Sequence, residues 1–251
     1  MINKNHPRYN SLVLREKIEK AYDDGYLGKT AMIAHGRGEA FDYLLGEETS
    51  YPAKRSMYVA VARLLLAKNP VISVNGNTVA LAIDDIIELA ENINAKIEIN
   101  LFYRTNKRVE KISKVFKEKG YYDILGTNDD KIEYINNIKS DRATASLKGI
   151  YTADVVLIPL EDGDRAELLS KAGKKTISID LNPLSRTSKT SDISIVDNII
   201  RAIPFMNEIV KDLKMQRIDF LEDIIKDYSN KDNLKDSLDS FKIKGDIEWK
   251  L

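Results

Sequence analysis

The chain contains no cysteine, which excludes disulfides, a thiolate nucleophile and any cysteine-ligated metal, as expected of a cytoplasmic protein. Histidine is nearly absent: His6 and His35 are too few for a histidine-built zinc centre. Net charge is also missing, since 39 Lys and Arg balance 39 Asp and Glu. No overall field therefore draws the chain to nucleic acid or to a membrane surface, and any anion site must be local. No run approaches the roughly 18 apolar residues of a membrane helix, and the opening MINKNHPRYN has no signal-peptide core. What is present is a chain of 251 residues, 43% hydrophobic, enough to fill a substantial core. The expectation is a single domain over 1–251 with a helical C-terminal extension from about residue 214, without nucleic-acid or membrane partners.

The stretch from Lys175 to Ala202 organises the rest. Thr176 to Ile179 is a short β-prone run that stops at Asp180, and Ile193 to Val196 is a second. Between them lie Asp180, Asn182, Ser185, Arg186, Thr187 and Ser188, and after them Asp197 or Asn198 can cap a helix running to Leu213. Polar groups gathered beyond the carboxyl ends of neighbouring strands are what a nucleotide site in an open α/β sheet requires. A solvated loop followed by an ordinary cap is the other reading.

The same strand-helix rhythm recurs upstream. Strands are expected at Val71–Val74, Ile97–Phe102 and Val155–Leu160. Helices follow at Asp84–Asn94, Thr105–Lys119 and Ala166–Ala172. Together they predict an α/β fold with a mostly parallel sheet. Two helices precede the sheet, one from Asn10 or Ser11 to about Gly25 and one opened by Thr49 and Pro52. The apolar face of the latter, Ser56 to Leu65, exceeds what one sheet is expected to cover. Each strand ends in polar residues: Ser73, Asn75 and Asn77, then Asn100, Tyr103 and Arg104. Asn75-Gly76-Asn77 reads as a turn with positive φ at Gly76. Glu161, Asp162, Asp164 and Arg165 suit either a metal-phosphate neighbourhood or a plain helix cap. Tyr121 to Lys148 is weakly patterned, with a strand candidate at Ile124-Leu125.

Two glycine motifs are broken. Gly28-Lys29-Thr30 would close a P-loop, but Asp23 occupies the place of its first glycine; Gly36-Arg37-Gly38 would open a dinucleotide fingerprint, but Phe41 replaces the third glycine. What remains is local. Gly36 and Gly38 let backbone approach a ligand ahead of a short helix favoured by Glu39, Arg37 presents a planar donor fork suited to phosphate, and His35 is either functional or a structural histidine.

In order, HPRYNSLVLREKI, IAHGRGEAFDYLLGE, VISVNGN, AKIEINLFYRT, ADVVLIPLEDGDRAE and ISIDLNPLSRTSKTSDISIVDNIIRA resemble the archaeal phosphopantothenate synthetase, or 4-phosphopantoate–beta-alanine ligase, family. The resemblance implies a Rossmann-like subunit, with N-terminal helices and a C-terminal helical tail, that acts as a homodimer. It implies an ATP-dependent, AMP-forming ligase of coenzyme A biosynthesis that uses Mg²⁺ and joins 4-phosphopantoate to beta-alanine. Its ATP contacts fall on Arg15, Arg37, Asp180, Leu181, Asn182, Arg186, Thr187, Asn198 and Ile199. Arg37, Lys29 and His35 are the catalytic candidates; Ser73, Asn75, Asn77 and Arg104 are candidates for holding substrate. No metal ligand is assigned. An ATP-binding regulator and an NAD(P)-dependent oxidoreductase are the rival classes.

Overall fold

A computed structural model describes residues 2–6, 8–135 and 143–245, excluding the side chains of Met32, Ala34–Gly36 and 242–245. Three helices come first: α1 (Tyr9–Asp23), α2 (Ala31–Leu45) and α3 (Tyr51–Leu65). The main sheet takes β1 (Pro70–Val74), β2 (Lys96–Ile99), β5 (Val155–Pro159), β6 (Lys175–Ile179) and β7 (Ile193–Ile195). A separate antiparallel hairpin joins β3 (Ile132–Tyr134) and β4 (Thr144–Ser146). The remaining helices are α4 (Gly76–Asn92), α5 (Asn106–Glu118), α6 (Gly163–Lys171), α7 (Arg186–Thr190), α8 (Ile199–Leu213), α9 (Ile218–Lys226) and α10 (Asn230–Gly245).

The five main strands are parallel in the order β2-β1-β5-β6-β7. Counted within this sheet alone, the order is that of the flavodoxin type of doubly wound fold, whose chain reverses direction of travel between the first and third strands. Here that switch point lies between β1 and β5.

Alternation along the strands explains the layers. Ile72, Val74, Ile97, Ile99, Leu157, Ile177, Ile179, Ile193 and Ile195 all face one large core filled by α1, α3, α4, α5 and α8. Burying each such side chain contributes about 1.5–3 kcal/mol. The intervening residues face the other way: Val71, Val156 and Ile158 meet α6 and the hairpin. On that face Ser178 donates to Ser194 and the Ser194 hydroxyl donates to the carbonyl of Ser188.

Several sequence expectations are corrected. The His35–Gly38 motif lies inside α2, not in a loop before a short helix, because the helix already begins at Ala31 and runs to Gly46 in the left-handed region. Gly76 has no positive φ; it starts α4 with Asn75 as the cap, and a Cβ there would lie 2.9 Å from the Tyr26 carbonyl oxygen. Close approach, not turn geometry, therefore requires this glycine. The apolar face of α3 is covered within the chain by α8, α9 and α10. In the weakly patterned segment, Leu125 forms a single parallel bridge to Glu98, while 136–142 lie outside the described residues. The C-terminal extension folds back: Phe241 meets Phe41 of α2 edge to face at 5.6 Å.

Candidate functional site

The carboxyl ends of β1, β5, β6 and β7 open onto one cleft with two joined compartments. The wider, about 640 Å³, is lined by Arg37 and Phe41 of α2, Glu161–Gly163 after β5, Asp180–Asn182 after β6, and Arg186 and Thr187 of α7. Leu238 and Phe241 of α10 complete its wall. The narrower, about 120 Å³, lies between α1, α2, α4 and the start of α8, with Leu14, Leu81 and Ile200 among its apolar walls and Asp42, Asn198 and Arg201 among its polar ones. Asn77, Leu160 and Leu181 line both. The cleft has the size of a small-molecule site and stands where open α/β sheets bind ligands.

Side-chain bonds hold the strand ends in place. Asn75 accepts from the backbone N–H groups of Asn77 and Thr78 at 3.0 and 3.2 Å, and its amide donates to the carbonyls of Pro159 and Leu160 at 3.3 and 3.0 Å. One residue thus caps α4 and ties β1 to β5 across the switch point. After β6, Asp180 accepts from the Asn182 N–H at 3.0 Å and from the Ser185 hydroxyl at 2.5 Å. Ser185 in turn caps α7, and Thr187 donates to the Glu161 carbonyl at 2.9 Å. Burial raises the pKa of the Asp180 carboxyl; those hydrogen bonds and the Arg37 charge oppose the rise. After β7, Asn198 caps α8 through Ile200 N–H at 3.4 Å.

The arginines differ in how far they are committed. Arg15 pairs bidentately with Glu39 at 2.7 and 2.6 Å. Arg186 pairs with Asp164 beside Gly163, where a Cβ would lie 2.6 Å from the Arg186 Cβ. The Arg37 side chain is exposed at the open compartment and makes no hydrogen bond or ion pair among the described residues. Asn77 likewise keeps its side-chain amide uncommitted there.

The structure brings Arg37, Asp180, Leu181, Asn182, Arg186, Thr187, Asn198 and Ile199 to the cleft, with Arg15 beside it through Glu39. Of the substrate candidates only Asn77 lines it. Ser73 is buried in β1 with no partner for its hydroxyl among the described residues, and Arg104 donates to the carbonyls of Gly126 and Thr127 at 2.9 and 3.1 Å. Lys29 is exposed in the turn before α2 and lines neither compartment; the side chain of His35 lies outside the described residues. The acidic run after β5 is a cap: Asp162 accepts from the Arg165 N–H at 3.0 Å. No group of three ligating side chains is assembled for a metal among the described residues. Asp42 and Arg201 were missed in the sequence. Reading Ala31–Leu45 as one helix would have revealed Asp42, one turn beyond Gly38 on the same face.

Fold and cleft define an open α/β protein with a cleft of small-molecule size at the carboxyl ends of its strands. The model of the phosphopantothenate/pantothenate synthetase family matches residues 52–244, and the chain belongs to that family. A relative from Thermococcus onnurineus is 51% identical over 241 residues, covering 94% of this chain and 90% of its own length. One from Thermococcus kodakarensis is 50% identical over 241 residues, with the same 94% and 90% coverage. One from Methanosarcina mazei is 50% identical over 233 residues, covering 93% and 91%. All three are named 4-phosphopantoate–beta-alanine ligase.

Proposed function

We propose that this chain is a 4-phosphopantoate–beta-alanine ligase of coenzyme A biosynthesis, forming 4′-phosphopantothenate while ATP is split to AMP and diphosphate. The observation that carries the reading is the two-compartment cleft, with the uncommitted groups of Arg37 and Asn77 facing it, in a family member half identical to ligases of that name.

ATP fits the residues present. Apolar walls of the narrow compartment suit a base. Gly38 supports this fit: a Cβ there would meet only Asn198 and Leu181, at 3.5 and 3.8 Å, so protein packing does not require the glycine, and its bareness leaves ligand space. Arg15, Arg37, Asp180 to Asn182, Arg186-Thr187 and Asn198-Ile199 are the proposed ATP contacts, with Arg37 and Arg186 toward the phosphates. Mg²⁺ fits as an ion carried mainly by substrate phosphates and water, since the protein assembles no ligand cage among its described residues. It would supply further charge neutralisation.

A carboxylate resists attack by an amine because its leaving group would be oxide. Transfer of the phosphopantoate carboxylate to the α-phosphorus, releasing diphosphate, replaces that leaving group with AMP. Charge grows on the phosphoryl oxygens in that step, where the Arg37 guanidinium supplies a compensating cation. Attack by neutral beta-alanine on the mixed anhydride then forms the amide and releases AMP, a step that positioning alone accelerates strongly. Asn77, at the junction of the compartments, is the proposed contact to the reacting carboxylate, and Asn75 holds the strand ends beneath it. Ser73, Arg104 and Lys29, which line neither compartment, and His35 are kept as candidates for substrate binding or proton handling. An NAD(P) oxidoreductase is disfavoured because the Gly36–Gly38 motif sits inside a helix instead of between strand and helix.

The test is incubation of purified protein with ATP, Mg²⁺, 4-phosphopantoate and beta-alanine, with products identified by mass spectrometry. Appearance of 4′-phosphopantothenate and AMP in equal amounts is expected; ATP binding without turnover would instead indicate a regulator. The proposal includes a homodimer, for which the exposed Met215, Ile218 and Phe220 around the start of α9 offer an apolar contact. A monomer with full activity in sedimentation at micromolar concentration would contradict that part.

A further inference from the structure

Asp42 of α2 stands in the wall of the narrow compartment but outside the set of proposed ATP contacts, and the residue is 8% exposed. One oxygen accepts from the Asn198 side-chain amide at 3.0 Å. The other pairs with Arg201 at 2.7 Å. Arg201 also pairs with the fully buried Asp197 at 2.7 Å, and Asp197 accepts from the Thr49 hydroxyl at 2.7 Å. A carboxylate this buried is costly unless paired, and Arg201 supplies the pairing. The Asn198 bond is a separate commitment.

Its consequence follows from donor and acceptor chemistry. An ionised carboxylate only accepts, so it must meet the NH₂ side of Asn198 and thereby fixes which way round that amide stands. The cap bond to Ile200, at 3.4 Å, is a weak restraint by comparison. Asn198 also sits against Gly38, whose Cβ would be 3.5 Å from its amide nitrogen. The amide is thus held between two positions one turn apart on α2, and the orientation Asp42 imposes is the one shown to the narrow compartment.

We infer that Asp42 is a positioning residue for nucleotide binding, acting through Asn198 by fixing the orientation of its amide. The inference rests on the ATP reading above. Asp42→Asn keeps the volume but offers Asn198 either a second amide or a contested oxygen, so the ATP dissociation constant should rise about tenfold, the scale of one hydrogen bond to a charged group. Asn198→Ala should raise it similarly, and adding Asp42→Asn to Asn198→Ala should change it little, because the interaction is already gone. Thr49→Val, which breaks the far end of the same network without touching Asn198, should lower thermal stability but leave ATP affinity within about twofold.

Calorimetric titration of ATP into the full chain and these variants reads each outcome. Equal, additive losses from Asp42→Asn in both backgrounds, unchanged affinity in Asp42→Asn, or a loss of affinity in Thr49→Val as large as that in Asp42→Asn would each overturn the inference while leaving the functional reading intact. Wild-type protein that binds no ATP would overturn both. Should Asp42→Asn not fold, Asp42→Glu answers the same question, since it keeps the charge beside Arg201 but displaces the acceptor from Asn198.

Discussion

Gly38 stands in the interior of α2, where glycine costs roughly 0.5–1 kcal/mol relative to alanine. Its surroundings do not demand that cost, since an added methyl would make only ordinary contacts with Asn198 and Leu181. Gly38→Ala should therefore raise the midpoint of thermal unfolding while weakening ATP binding. Calorimetry and titration on one preparation check both, and a stabilised variant with unchanged affinity would remove Gly38 from the site. At this scale the sequence was a partial guide. The place of Arg37 at the cleft was legible from the glycines that flank it, but the motif reads as a loop because two glycines in three residues depress helix propensity. The docking of α2 on α1, α10 and the start of α8 overrides that local preference. The surroundings of Arg104 were not legible: a strand-end arginine looks free in sequence, yet its guanidinium donates to two backbone carbonyls.

Among elements, the apolar runs of β1, β5, β6 and β7 could be placed to within a residue or two, because buried parallel strands write themselves as short branched runs. The β3–β4 hairpin could not. Its strands are three residues each and owe their position to long-range bonds: Asn100 donates to the Thr144 carbonyl at 3.1 Å, and the Glu98 carboxylate accepts from Ser146 and Ile150 N–H groups at 2.9 and 2.6 Å. Glu98 is 1% exposed, and burial pushes its pKa from 4.5 up to about 7 against the pull of those N–H groups and Arg165. The folded chain therefore binds a proton more tightly than the unfolded one. This contribution is fully present below about pH 4.5 and is lost as pH rises through about 7, a change on the order of 3 kcal/mol. Glu98→Gln should abolish this component. Denaturant midpoints of both proteins followed from pH 4.5 to 8 should diverge in slope, and parallel curves would show that Glu98 does not carry the linkage.

For the whole molecule, the C-terminal helices are part of the sheet's architecture. Strand β7 is an edge, and its Ser194 N–H and carbonyl are met by the side chains of Asn230 and Asn233 at 2.9 and 2.8 Å, so amides from α10 stand in for a neighbouring strand. The same helix places Leu238 and Phe241 in the cleft wall. The amphipathic pattern after Lys214 was legible as helix, but its docking was not, because two asparagines in a charged stretch carry no periodic signal. The molecule therefore joins N-terminal helices, switch-point strands and C-terminal helix around one cleft, and we propose that this cleft activates a carboxylate by adenylation. Exchange of labelled diphosphate into ATP, measured with enzyme, Mg²⁺ and 4-phosphopantoate but without beta-alanine, tests it most directly. Exchange is expected to require 4-phosphopantoate and to fall on the order of 10²-fold in Arg37→Ala. Absence of exchange, with ADP and inorganic phosphate as products of the complete mixture, would contradict it.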